Sequence, residues 1–292
     1  MHYKESLGTR FYVFFAYLVI AMFSIACIYP ILHILALSFS SKTAVNAGLV
    51  NIIPVDFSLE AYRFVVEGGA FFTAFGVSVK RTILGVALSM ILTVLTGYPL
   101  SKTKSKFSFR NVYMWFFVFT MLFSGGLIPG YIVVNRLGLI DTIWALVLPG
   151  AVPVYYVILF QNFVKSLPDE LTEAAYTDGA GELTILRKIV LPLSKPILAT
   201  LTLFIAVNHW NSWFDGMIYM NRPKNYPLQT YLQTIVVQID VKSVATISDV
   251  ANISPRNSKA AQIILAMLPI VVVYPFLQKY FTKGIVMGSV KG

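Results

Sequence analysis

From Phe11 to Phe39 the chain carries no charged side chain. A helix needs roughly 20 apolar residues to cross the hydrocarbon core of a bilayer. This stretch exceeds that length, so it spans with tilt or with a kink at Pro30. Composition extends the point to the whole molecule. Of 292 residues, 57% are hydrophobic and 12% charged, about half the charged share of a soluble domain. Lys4 and Arg10 ahead of the run give it the look of a signal peptide, but it is too long and no small-residue cleavage site follows. Cys27, the single cysteine, stands after Ala26 as in a lipoprotein site, yet apolar sequence continues on both sides. The run reads as a membrane anchor, and one cysteine excludes an intrachain disulfide and a cysteine-cluster metal site.

Five more apolar runs follow, at about Thr82 to Leu100, Val112 to Val134, Ile143 to Val164, Ile197 to Tyr219 and Ala260 to Phe281. The expectation is an all-α polytopic membrane protein, a single transmembrane domain over residues 1–292 with six transmembrane helices. Six spans place both termini on one side. The loop from Lys102 to Arg110 holds Lys102, Lys104, Lys106 and Arg110 and no acid. Short loops rich in lysine and arginine stay in the cytoplasm, so both termini are expected to be cytoplasmic. The net charge of +10 then belongs to loops that orient the spans, and no nucleic-acid partner is implied. Lys80 and Arg81 at the outer mouth of the second span run against this rule and read as snorkelling to the outer interface; with Arg222 and Lys224 they would suit an anionic saccharide, or are ordinary solvated loop residues. Long outer loops are expected at about 40–79 and 220–259.

One stretch breaks the apolar pattern on the cytoplasmic side. Leu167 to Pro196 holds acids, then a glycine turn, then a basic cluster, then proline. Ser166, Pro168 and Asp169 form a helix start. Asp178-Gly179 ends that helix. A second short helix is expected from about Glu182 to Val190, stopping before Pro192, with Leu183, Leu186, Ile189 and Val190 on one side. A loop of this design, spanning about 165–196, suits a segment that lies on the membrane face and grips a partner.

Within it, Glu173-Ala174-Ala175, Asp178-Gly179, Ile189, Leu191 and Pro192 match in kind and spacing the signature loop, the EAA motif, of permease subunits of binding-protein-dependent ABC importers. The tail Gly284 to Gly292 resembles that of the maltose-type carbohydrate importers. Leu268 to Lys283, with Phe123 to Pro129, resembles the branch associated with oligo- and polysaccharide uptake, of which the bacterial alginate importer is a member. The resemblance covers nearly the whole chain. It implies a type I ABC importer permease fold in a bacterial cytoplasmic (inner) membrane. It also implies a heterodimer with a second permease subunit, two cytoplasmic ATPase subunits, and an extracytoplasmic substrate-binding protein. The helix before Gly179 would be the coupling helix. Glu173 would meet a basic group of the ATPase, and Ala174 and Ala175 would allow close approach. Ile189, Leu191 and Pro192 would tie the second helix back to the spans. The tail residues Gly288, Ser289, Val290, Lys291 and Gly292 would reach between the ATPases, though a frayed terminus reads the same way.

The chain has no G-x-x-x-x-G-K-[ST] phosphate loop, and His2, His33 and His209 make no metal spacing. It is therefore not expected to be an enzyme or to hold a cofactor, with ATP and magnesium bound by the partner ATPases. For substrate contact, the end of the fifth span offers Asn208, Trp210, Asn211, Trp213 and Asp215, flat faces and hydrogen-bonding groups of the kind sugars need. Interfacial tryptophans and polar helix glue are the competing accounts. Gly125 and Gly126 in the third span allow a kink or close packing, and Tyr131 lines the same route or simply packs. The functional expectation is alternating-access import of a carbohydrate, such as an alginate oligosaccharide. An ABC importer of a non-sugar ligand such as peptide fits the loop equally. An ion-coupled secondary transporter would want inverted repeats and acids within the spans, and the spans carry almost none.

Overall fold

The computed structural model describes residues 7–238 and 255–289, giving the backbone course alone at residues 7, 236–238, 274 and 276–289. Among these residues the regular structure is helical, apart from one isolated bridge between Ser40 and Phe57. The chain divides into two compact units, one of residues 1–71 and 234–268, the other of 72–233 and 269–292.

In the first unit, α1 (Leu7–Ser38) runs unbroken through Pro30. None of its most apolar window is buried by protein, and Phe11, Tyr12, Phe14 and Phe15 all stand exposed. On a soluble surface such a patch would be an aggregation site; on a helix sheathed in hydrocarbon it is the expected surface. Protein packing begins at its C-terminal end. There Ala36 joins Val50 and Ala44 and Val45 of α2 (Lys42–Asn46) in a small core. Ser41 caps α2 by accepting from Ala44 N at 3.3 Å. α3 (Glu60–Glu67) follows, with Tyr62 hydrogen-bonded to Ser38 at 2.8 Å.

The second unit is built on α4 (Ala70–Ser101). This helix starts at Ala70 rather than near Thr82, so Lys80 and Arg81 lie within it and not at its mouth. Ser78, Arg81, Gly85, Ser89, Thr93 and Gly97 recur at three- or four-residue spacing and are all buried. They form one helical face of small and polar groups, the kind that lets helices approach closely in a membrane. Ile83, Ile91 and Leu95 stand exposed on other faces.

The third apolar run is two helices, α5 (Arg110–Leu122) and α6 (Leu127–Arg136), which meet at 111°. Gly126 turns the chain at φ +92°, a conformation that L side chains rarely adopt. The fourth run is also interrupted. α7 (Ile143–Val147) and α8 (Val154–Lys165) flank a non-helical stretch at 148–153, where Pro149 and Pro153 remove backbone donors and Gly150 adds freedom. The loop helices are α9 (Asp169–Thr177) and α10 (Glu182–Ile185). From α10 the chain does not stop before Pro192. It passes through a π turn at Leu186–Val190 into α11 (Leu191–Leu193) and bends by 79° into α12 (Lys195–Asn211). A proline ring clashes with the carbonyl four residues back in regular α geometry. Here Leu191 N–H bonds Leu186 O, five residues back, and this wider turn lets the helix carry Pro192.

α13 (Phe214–Tyr219), α14 (Leu228–Gln238) and α15 (Pro255–Ser289) complete the chain. Residues 239–254 of the expected outer loop lie outside the described residues. Among the described residues three helices are long and apolar enough to span a membrane, or up to five spans if each bent pair counts as one. The interrupted fourth run is the remaining apolar segment.

Candidate functional site

Two places in the second unit gather the residues singled out by sequence. The first is the polar loop. α9 opens on Asp169 and Glu170, where negative charge complements the helix dipole. Glu173 and Ala174 face outward and Ala175 faces inward. Ala175 packs with Tyr98, Phe160, Ile185, Leu186, Val190 and Leu201 in one core, so it serves the chain's own packing and leaves Ala174 as the small residue presented outward. Asp178 is exposed, and Gly179 turns the chain at φ +80°. The buried side of the second limb is Ile185, Leu186 and Val190, whereas Leu183 is 65% exposed, contrary to the sequence-based expectation. Ile189 and Leu191 pack against the same core; Pro192 is exposed.

Glu182 fastens this loop to the end of α4. Its carboxylate accepts from Tyr98 Oη at 2.6 Å, from Lys102 Nζ at 2.9 Å, and from the Tyr176 hydroxyl. Lys102 also donates to Tyr176 Oη at 3.1 Å and lies 4.4 Å above the Tyr98 ring. Burial opposes charge on Glu182, but the hydrogen bonds from Tyr176, Tyr98 and Lys102 outweigh it and hold the carboxyl at about 2. Burial and the facing carboxylate push the Tyr176 hydroxyl up to about 12. Sequence reasoning missed this hub. The cations of Lys102 to Arg110 explained themselves as orientation signals, and nothing linear joins Tyr98 to Glu182.

The second place is a cavity of about 330 Å³ beside the break between α12 and α13, whose wall includes Arg81, Ser89, Tyr156, Asn208, His209 and Asp215. Arg81 is 2% exposed, which corrects the expectation of a solvated or snorkelling cation. Its guanidinium grips Asp215 with both terminal nitrogens and donates to Ser212 O at 3.1 Å. Asp215 Oδ1 also accepts from Ser212 Oγ at 3.0 Å and Gly216 N at 2.9 Å. Most of these bonds fall on Oδ1, with Arg81 alone on Oδ2, and the charge is balanced within the wall. His209 sits in a notch left by Gly85, where a Cβ would fall 2.3 Å from its Nε2.

Of the residues proposed from sequence for the pathway, Asn208 and Asp215 reach the cavity wall. Trp210 is buried and packs edge-on against Phe75 at 5.6 Å. Asn211 is exposed, and Trp213 packs on Phe214. Tyr131 stacks on Tyr219 at 6.4 Å, while Gly125 and Gly126 form the α5–α6 bend. Arg222 is exposed yet pairs with Asp141. Asp141, at φ +63°, also accepts from Asn225 Nδ2 at 2.8 Å and from two backbone amides, Asn221 and Arg222. Of the tail, Gly288 and Ser289 end α15 as backbone alone; Val290, Lys291 and Gly292 lie outside the described residues.

The family described as binding-protein-dependent transport system inner membrane component matches residues 85–287. The chain is 40% identical, over 98% of its length and 100% of the relative's, to the polygalacturonan/rhamnogalacturonan transport system permease protein YtcP of Bacillus subtilis (strain 168). It is 42% identical to Protein LplC of the same organism, over 91% of this chain and 90% of that one. A crystal structure of a bacterial ABC transporter involved in the import of the acidic polysaccharide alginate contains a similar chain. That chain superposes with a TM-score of 0.89 at 33% identity, covering 95% of this chain and 99% of its own length.

Proposed function

The chain belongs to the binding-protein-dependent transport system inner membrane components, and on that footing we infer that it is the permease subunit of an ABC importer for an acidic oligosaccharide. The carbohydrate class agrees with the saccharides named for its relatives, and both named polymers, polygalacturonan and alginate, carry carboxylates. The family is one of transport permeases rather than enzymes, and we assign ATP hydrolysis, with its magnesium, to two partner ATPase subunits. A second permease and a substrate-binding protein complete the proposed complex. Both termini and the loop at 165–196 are placed on the cytoplasmic side, following the lysines and arginine of Lys102 to Arg110.

The observation that carries this reading is the way the loop is built. Glu173, Ala174 and Asp178 face outward, while Ala175, Ile185, Leu186 and Val190 hold the loop to a core shared with α4, α8 and α12. A partner that moved α9 would therefore move packed helices and not a slack tether. Alternating access follows as a rigid-body switch between two states of one interface. Glu182 strengthens the link by joining α9, through Tyr176, to Tyr98 and Lys102 at the end of α4.

The test is ATP hydrolysis by the complex in lipid, stimulated by its loaded binding protein. Glu173→Arg and Gly179→Val are each expected to lower stimulation and uptake by about tenfold, the size of a typical coupling energy, while the permease still inserts. Normal stimulated hydrolysis and uptake in both variants would remove the coupling assignment.

A further inference from the structure

We propose that Arg110 and Lys165 form a headgroup site for an anionic phospholipid of the cytoplasmic leaflet. The inference is independent of the cargo and rests only on the cytoplasmic placement of the loop at 165–196 made above.

Two of the cations ahead of α5 are already committed. Lys102 bonds Glu182 and Tyr176, and Lys106 lies 4.4 Å over the Tyr176 ring. Arg110 is different. It opens α5, and its side chain donates only to Lys102 O at 3.1 Å and Asn111 Oδ1 at 3.3 Å, neither of which carries a charge to offset its own. Lys165 closes α8 and is exposed; its ammonium has no hydrogen-bond or ion-pair partner among the described residues. α5 and α8 pack against each other, and the start of one stands beside the end of the other. Partial burial and the neighbouring Arg110 together lower the Lys165 ammonium from its ordinary value. Asp169 and Glu170, the next acids along the chain, form an ion pair with neither cation.

Two like charges held together without an acid favour an anion between them, and guanidinium and ammonium groups both bond phosphate oxygens. The surroundings choose which phosphate. Phe109, Tyr113 and Trp115 stand exposed, all within about one and a half helical turns of Arg110. Aromatic side chains of this kind collect at the depth of the headgroups. Farther along, Phe116, Phe119 and Leu122 continue the exposed apolar surface, and α5 buries none of its residues within the chain. Free phosphate would satisfy the cations and leave this surface bare. A phospholipid covers both, its phosphate at the pair and its acyl chains along α5. Basic pockets between helices on the cytoplasmic side hold anionic headgroups on this principle. A headgroup with its own cation, such as choline, would return positive charge to the pair, so the preference is for phosphatidylglycerol over phosphatidylcholine.

The experiment measures the lipid retained by the assembled importer after exchange in micelles holding equal phosphatidylglycerol and phosphatidylcholine. The unaltered complex is expected to enrich phosphatidylglycerol. Arg110→Gln and Lys165→Gln are each expected to cut that enrichment by about fivefold, and the double variant by about 25-fold, the attraction of one and of two cations to anionic lipid. Lys165→Arg keeps the charge and should stay within about twofold of the unaltered complex. Lys224→Gln, at an exposed cation elsewhere, should leave the enrichment as it is. If one glutamine variant fails to assemble, the other decides. Absence of enrichment in the unaltered complex, or equal enrichment in the double variant, would reduce the two cations to orientation signals and overturn the proposal. A cross-link from Lys165→Cys to an ATPase subunit would overturn it too, by making the pair a protein contact. Labelling of Lys104→Cys from outside the cell, in a Cys27→Ser background, would instead overturn the cytoplasmic placement, a failure distinguishable from loss of enrichment.

Discussion

Two charged clusters hold the second unit, and they are made differently. At the loop, Lys102 and Glu182 have side chains 14% and 53% exposed. In the interior, Arg81 and Asp215 are 3% and 25% exposed. The loop cluster spreads one carboxylate over two tyrosines and a lysine, so each bond is replaceable by water. The interior cluster centres on one guanidinium fork, with Ser212 and Gly216 adding bonds to the same carboxylate. The loop can therefore be rearranged at low cost, as a moving contact requires, whereas the interior pair sets where α4 meets the α12–α13 break. Experiments that set the two against each other follow from this contrast.

The largest effect is expected from Arg81→Ala, which leaves the partly buried Asp215 without its partner. Breaking a buried pair on one side costs about 3–5 kcal/mol, so the amount of assembled complex recovered from membranes should collapse. Arg81→Met combined with Asp215→Met should recover most of it, because removing both charges can be nearly neutral. Failure of the double variant to recover would mean that the pair does more than balance charge. Next is Gly85→Ala. The added Cβ must displace His209, and overpacking of this kind costs about 1–3 kcal/mol; a lowered thermal midpoint with intact assembly is the expected reading.

The smallest stability effect is expected from Glu182→Gln. The Glu182 side chain is more than half exposed, so the loss should stay within about 1 kcal/mol. A carboxyl held below its ordinary value stabilises above its unfolded value of about 4.3 and loses that contribution as pH falls towards about 2. Hydrogen exchange of the loop should consequently be flat in its stability component from pH 5 to 8, and protection should weaken only in stronger acid. A loop loosening near pH 6 would show that a group other than Glu182 governs it.

The contrast also explains what could be read from sequence. The loop was legible because its residues are near neighbours: Asp178-Gly179 announces the turn, and the acids of α9 announce a helix start. The spans were legible as apolar runs, but hydropathy passes smoothly over Gly126 and over Pro149 to Pro153, where the backbone breaks. Pro192 was misread as a stop because a π turn is a change of register, and composition does not display register. The interior pair was hidden for another reason. Arg81 and Asp215 are individually awkward in a membrane helix, and only the fold brings them together. Trp210 looked like a sugar platform by residue type, yet its ring is used in packing against Phe75.

That separation has a consequence for synthesis. Arg81 and Asp215 are 134 residues apart, and ribosomes add about 5–20 residues per second. Arg81 therefore emerges roughly 7–27 s before its counter-ion exists, on the same elongation rates. During that interval α4 carries a cation that disfavours lipid by about 2.5–3.5 kcal/mol at mid-helix. α1, with no charge in its apolar run, has no such debt and can enter the bilayer at once. The counter-ion that balances α4 is therefore supplied only when the turn after α12 has been synthesised.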